Sequence, residues 1–260
     1  MIALRSVGVR LRPGAVGWLD LDVPTGAIIV IHGDRTGSVL LRTLAGALPP
    51  IGASAAFNDD TDLLTLTPAQ RRRAGVEYVA TPAAPNAAPV TAWLALGAAR
   101  HQPWNGDAAA RARRIAQVLD RFPTLAARRD RASSSLNPDD AALLALAVAV
   151  AARPRLLLVD GLLDTLNRAA RAEATAAITV TTDREDTSVL VAHQPEHPGG
   201  YLPAHRVFTG RNGVLTSAPR HDADTGASAP VAPSRAGDAT PTGESVPPHG
   251  AAAWPPLYVQ

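Results

Sequence analysis

Three continuous apolar runs in this chain lead into groups that could do chemistry. Ala27-Ile28-Ile29-Val30-Ile31 passes through His32 into Gly33-Asp34-Arg35-Thr36-Gly37-Ser38, Leu156-Leu157-Leu158-Val159 ends at Asp160, and Ser188-Val189-Leu190-Val191-Ala192 ends at His193. A glycine loop between a strand and a helix can curl backbone amides around phosphates, and the helix dipole favours the same anion. Such a loop normally adds a lysine that reaches the outer phosphates and a Ser or Thr that holds Mg²⁺. Thr36 and Ser38 offer hydroxyls, but every one of the 25 basic residues is an arginine. A rigid guanidinium fork replaces a point-charge ammonium poorly, so Arg35 reads as a solvated loop residue.

The elements that must position these groups follow from hydrophobic period. Alternation predicts strands over 2–11 and around 19–23, with a turn at Pro24-Thr25-Gly26. The runs at 27–31, 156–160 and 188–192 lack alternation and predict strands buried on both faces. A loop is expected from His32 to Ser38, then a helix from Val39 closed by Gly46 and Pro49-Pro50. Residues 51–90 read as short strands and loops, including Val76-Glu77-Tyr78-Val79. Helix is expected from Thr91 to Arg129 with breaks near Pro103 and Pro123, from Asp139 to Ala152, and near Arg168–Ile178. Strands alternating with helices predict a largely parallel α/β sheet.

Beyond about Ser217 the composition turns to Ala, Pro, Gly, Ser, Thr and Asp. Such a segment buries too little surface to offset the entropy of ordering, which predicts one folded domain over 1–216 and a disordered tail over 217–260 with an aromatic end at Trp254–Gln260. The formal charge of +2 gives no case for nucleic acid, and the pI of about 9.6 reflects non-titrating arginines. Without cysteine there is neither disulfide nor thiolate metal site. The alternating segment that follows Met1 has no basic n-region and apolar h-region, so no secretory leader is expected. The longest apolar stretch, Ala141 to Ala152, is about a dozen residues and too short to span a bilayer, so a soluble protein is expected.

In order, from residue 1 to about 216, these pieces resemble the nucleotide-binding domain of ATP-binding-cassette (ABC) transporters, most closely the branch serving branched-chain amino-acid importers. The resemblance rests on Leu40-Leu41-Arg42-Thr43-Leu44-Ala45-Gly46-Ala47-Leu48-Pro49-Pro50 and on Ala151-Ala152-Arg153-Pro154-Arg155-Leu156-Leu157-Leu158-Val159-Asp160. It implies an α/β, P-loop NTPase-like cassette with a parallel core sheet, an N-terminal antiparallel β-subdomain and a helical subdomain over about 91–150. It also implies ATP and Mg²⁺ as cofactors, with Gly33, Thr36, Gly37, Ser38, Asp160 and His193 at the cofactor positions. Asp160 would support Mg²⁺ through water, and His193 matches the switch histidine.

The departures from the family's pattern all point one way. The phosphate loop is about two residues short and lacks its lysine, and Asp34 brings a negative charge where phosphates would sit. The adenine-stacking aromatic aligns near Leu11, and the glutamine linking Mg²⁺ to the helical subdomain aligns with Thr81. The signature glycines align with Leu136-Asn137-Pro138-Asp139-Asp140, or in another register with Ser133-Ser134-Ser135. The first of these also makes an ordinary helix start, with an N-cap, a proline in the first turn and acids near the dipole. Gly161 stands where the general-base glutamate belongs, and Asn167 stands for the next loop's aspartate, with Asp164 a displaced stand-in. His32, His101 and His197 show no metal-ligand spacing.

The resemblance therefore implies a degenerate cassette subunit at the inner face of the cell membrane, cytoplasmic and peripheral. It would bind ATP and Mg²⁺ weakly or not at all, and would work in a hetero-oligomer with an intact ABC ATPase subunit and a membrane permease. The other reading is a regulatory or scaffolding protein that keeps the cassette fold as an interaction surface.

Overall fold

The computed structural model describes residues 2–12, 15–50, 54–57, 61–80, 87–100, 107–193 and 202–217. Among them, β3 (Ile28–Gly33), β7 (Leu156–Asp160) and β8 (Ser188–Ala192) form the middle of a six-stranded sheet of order β10-β9-β3-β8-β7-β6. β6 (Val76–Val79) and β9 (Arg206–Arg211) pair in parallel with this middle, and only β10 (Val214–Ser217) runs antiparallel, at the edge. The central strands are apolar at nearly every position because both faces are covered. Ile28, Val30, Val189 and Val191 turn to one layer, whereas Ile29, Ile31, Leu158 and Leu190 turn to the other.

The first layer is helical. α3 (Val90–Ala98), α4 (Ala108–Arg121), α5 (Pro123–Ala126), α6 (Pro138–Ala151) and α8 (Arg168–Glu185) supply its core. α6 starts where Asn137 accepts the Asp140 amide at 2.8 Å and Pro138 takes the first turn, where its missing N–H costs nothing. α3 and α6 cross so closely that a Cβ on Gly97 would lie 2.3 Å from the Val148 carbonyl oxygen.

Electrostatics ties this layer together at one end. Arg114, 1% exposed, gives its guanidinium to both oxygens of Glu185 (2.6 and 3.0 Å) and to the carbonyls of Val150 and Ala151 at the C-terminus of α6. Arg121 reaches the same carboxylate at 2.5 Å. Burial alone would push the Glu185 carboxyl up, but the bonds and charges of Arg114 and Arg121 outweigh it and hold it below its ordinary value.

The second layer holds α1 (Thr36–Ala45), closed by Gly46 in the left-handed region at φ 82°, and the short α2 (Pro68–Arg73). A separate four-stranded antiparallel sheet, order β2-β1-β4-β5, is built from β1 (Ile2–Arg12), β2 (Ala15–Val23), β4 (Ser54–Phe57) and β5 (Thr61–Asp62). Its main pair runs from Ile2↔Val23 to Arg12↔Ala15. The parallel core sheet, antiparallel N-terminal sheet and helical layer expected from the sequence are all present.

Local boundaries differ in instructive ways. The loop expected from His32 to Ser38 shrinks to Asp34 and Arg35, because β3 continues through Gly33 and α1 begins at Thr36. The helix expected near Arg168–Ile178 runs on to Glu185. Its late residues Thr181 and Thr182 bond back to the carbonyls of Ala177 and Ile178 at 2.7 and 3.0 Å. The expected tail lies outside the described residues except for Ser217, the last residue of β10.

Candidate functional site

The junction between β3 and α1 is closed by pieces far apart in sequence. Gly33 pairs with Gly210 of β9, and a Cβ on Gly33 would fall 2.1 Å from the Gly210 carbonyl oxygen. Gly33 also has φ 122°, a conformation that L side chains rarely adopt. The next amide, Asp34 N–H, donates to the Gly210 carbonyl at 3.0 Å. One oxygen of the Asp34 carboxylate accepts the Thr36 amide at 2.8 Å and the Thr36 hydroxyl, while the other accepts the Asn212 amide at 2.7 Å. The Gly213 amide then donates to the Thr36 hydroxyl oxygen at 3.0 Å.

Asp34 thus places a carboxylate against the first turn of α1, where the dipole favours an anion. Burial works to raise its carboxyl, but bonds from Thr36 and Asn212 and the charge of Arg211 prevail, holding it below its ordinary value of 3.8. Arg35 is exposed. Gly37 is small for packing, since a Cβ there would meet Ile31 Cγ2 at 3.0 Å.

Asp160 lies on the α1 face of the sheet, in the same register as Leu156 and Leu158. One of its oxygens accepts from Ser38 Oγ at 2.8 Å, Tyr78 OH at 2.6 Å and Arg42 Nε at 3.3 Å. Ser38 and Arg42 stand one helical turn apart on α1, which lets both reach the same carboxylate. Burial, then the bond to Asp160, pushes the Tyr78 hydroxyl far above its ordinary value, so it stays a neutral donor. The carboxylate expected to support a divalent cation has a guanidinium beside it.

His193 goes elsewhere. It follows Ala192 by one residue and so faces away from α1, toward α7 (Leu162–Thr165), where its Nδ1 lies 2.6 Å from Asp164 Oδ1. Its ring stacks on His32, centroids 5.4 Å apart. Gly161, between Asp160 and α7, has φ 65°, and a Cβ there would meet nothing within 4 Å.

The first turn of α6 is likewise occupied by internal partners. Asp139 accepts the backbone amide of Asn167 at 3.0 Å and its side-chain amide, while the Asn167 oxygen caps α8 through Ala169 and Ala170. Asp140 pairs with Arg128 at 3.0 Å.

Of the residues singled out from sequence, Gly33, Thr36, Gly37 and Ser38 share one junction and Ser38 reaches Asp160, whereas His193 belongs to a second cluster. Thr81, His101 and His197 lie outside the described residues, as does the side chain of Leu11. Three participants were not foreseen: Arg42, Tyr78 and the Asn212-Gly213 turn. The last has a sequence signal, Asn-Gly between two short strand-forming runs, and both residues take the positive φ (49° and 81°) of a type I′ hairpin.

No protein-family model matches the chain, and no curated protein does. Solved structures do match over most of its length, and what they share with this chain is an α/β fold with a mostly parallel core sheet. More narrowly, the fold is that of the ATP-binding cassettes of ABC transporters. A nucleotide-free cassette from an ABC transporter superposes with a TM-score of 0.67 at 15% identity, covering 83% of this chain and 89% of that one. A cassette in a dimeric post-hydrolysis state with ADP and Pi gives 0.69 at 13% identity, covering 83% and 96%. CbiO1 from Clostridium perfringens, part of the ABC transporter complex cbiONQ, gives 0.66 at 16% identity, covering 83% and 86%.

Proposed function

We propose that this chain is a degenerate cassette subunit of a membrane transporter, working beside an intact ABC ATPase subunit and a membrane permease. In this reading it binds ATP and Mg²⁺ weakly or not at all and does not hydrolyse ATP by itself. The observation that carries the proposal is that both charged seats are filled from within: Asp34 occupies the N-terminal turn of α1, and Arg42 pairs with Asp160. A phosphate entering that turn would meet a carboxylate, and a divalent cation at Asp160 would meet a guanidinium. These residues do not fit Mg·ATP, and Gly161 offers no carboxylate to polarise water.

Gly33, Thr36, Gly37, Ser38, Asp160 and His193 are, on this view, positions of an ancestral nucleotide site now reused for internal packing. The departures at the loop, the signature helix and Gly161 favour a hetero-oligomer over a pair of identical chains, since two copies would lack a competent site. The branched-chain amino-acid importer branch is the proposed origin. No described helix is long and apolar enough to cross a membrane, so attachment at the inner face would come through the permease.

The purified full chain, given Mg·ATP, is expected to release no phosphate above the rate without protein. Turnover at the rate of an ordinary cassette, about 1 per second or faster on the general enzyme scale, would overturn the proposal.

A further inference from the structure

The cluster on the far face of the sheet carries an inference independent of transport. His32 ends the apolar run of β3, His193 follows β8, and Asp164 comes from α7, so three separate segments meet there. The His193 side chain is 1% exposed and that of Asp164 8%, and their rings and oxygens are in direct contact at 2.6 Å. The His32 ring lies over His193 with only 17° between their planes. Nε2 of His193 is buried and has no hydrogen-bond partner among the described residues. The His193 amide donates to the Ile31 carbonyl at 2.9 Å, which fixes the ring pair at the ends of β3 and β8.

Among the described residues, the charged and titratable groups that act on His32 are His193 and Asp164. A single carboxylate can neutralise one imidazolium. A second proton would place two cations at stacking distance, with little water between them to screen the repulsion. We propose that the His32–His193 stack is an acid-sensitive latch, closed while it carries at most one positive charge and opened by the second proton. Opening it frees α7 from the end of β3 and loosens Gly33, the adjacent residue that seats the β3–α1 turn on β9.

Burial, and after it the proximity of His193, pushes the His32 imidazole below its ordinary value of 6.5, against an upward pull from Asp164. The sign follows from linkage. Well above pH 6.5 neither state of His32 is protonated and the latch is fully stabilising. As pH falls below that value the unfolded chain takes up a proton that the folded chain resists, so stability is lost. Asp34 and Glu185, both held below their ordinary carboxyl values of 3.8 and 4.5, add little slope above pH 5, and what they add is the same in the unaltered chain and in His32→Phe.

Thermal unfolding of the full chain at pH 7.5 and pH 5.0 tests the latch. The midpoint is expected to fall by about 3 °C or more at the lower pH. His32→Phe keeps a ring on the stack without a titrating nitrogen and should remove most of that fall, whereas Asp164→Asn should enlarge it. An equal fall in His32→Phe and in the unaltered chain would overturn the proposal. An imidazole NMR titration of the unaltered chain, which depends on no variant folding, should place the His32 midpoint below 6.5. A midpoint at or above that value would overturn it as well.

Discussion

Gly33→Ala is expected to destabilise the folded chain by about 3 kcal/mol or more. The added Cβ would sit 2.1 Å from the Gly210 carbonyl oxygen, a backbone atom held in the β3–β9 ladder, and the residue would keep φ 122°. Neither strain can be relieved by a side-chain rotation. Moving β9 would disturb the Asp34 amide bond to Gly210 and the Asn212 bond to the Asp34 carboxylate. Thermal denaturation should show a midpoint lower by roughly 6–12 °C. Gly161→Ala is the informative control: it suffers only the left-handed backbone penalty, about 1–2 kcal/mol, because nothing lies within 4 Å of its Cβ. Equal losses in the two variants would show that Gly33 is needed for its φ alone and not for the close approach of β9.

Arg114→Met should cost about 3–5 kcal/mol, the range seen when one partner of a buried ion pair is removed. The guanidinium is shared among Glu185, Val150 and Ala151, so its loss strands two carbonyls at the end of α6 and weakens the hold on the end of α8. Arg121 still reaches Glu185 at 2.5 Å, which keeps the carboxylate from being wholly uncompensated. Urea unfolding should report the loss, and Arg114→Lys should recover little, because an ammonium lacks the planar fork that serves four acceptors at once. The pH signature is opposite in sign to that of a neutral base gaining a partner. Glu185 is depressed when folded, so its contribution is present above its ordinary value of 4.5 and fades as pH falls through the lower folded value. A loss below 1 kcal/mol would mean that Arg121 alone secures the α4–α8 contact.

The parts of this structure that were legible in sequence are those fixed by local pattern. The continuous apolar runs at 156–160 and 188–192 became strands with those bounds, since burial on both faces leaves no alternation to blur their ends. The start of α1 is hidden in the sequence because Thr36 and Gly37 are weak helix formers and read as loop. Tertiary contacts override that preference: Thr36 is fixed by Asp34 and Gly213, and Gly37 packs on Ile31.

The site itself was half visible. On the proposed reading, the lysine, glycines and glutamate of a working cassette are lacking at the aligned positions, and residue types at single positions are what sequence can show. That Asp34 binds the Asn212 amide, 178 residues away, or that Arg42 reaches Asp160, cannot be read from spacing. The contacts of His193 to Asp164 and His32 join three separate segments, so spacing alone does not reveal them.

Asp34 and Arg42 already occupy the two charged seats, at the first turn of α1 and beside Asp160. Calorimetric titration of the full chain with ATP, with and without Mg²⁺, tests this most directly. No saturable heat is expected at micromolar protein, and no gain on adding Mg²⁺. A dissociation constant in the micromolar range that tightens with Mg²⁺ would contradict it, because the cation and the phosphates would then be displacing Arg42 and Asp34 with ease.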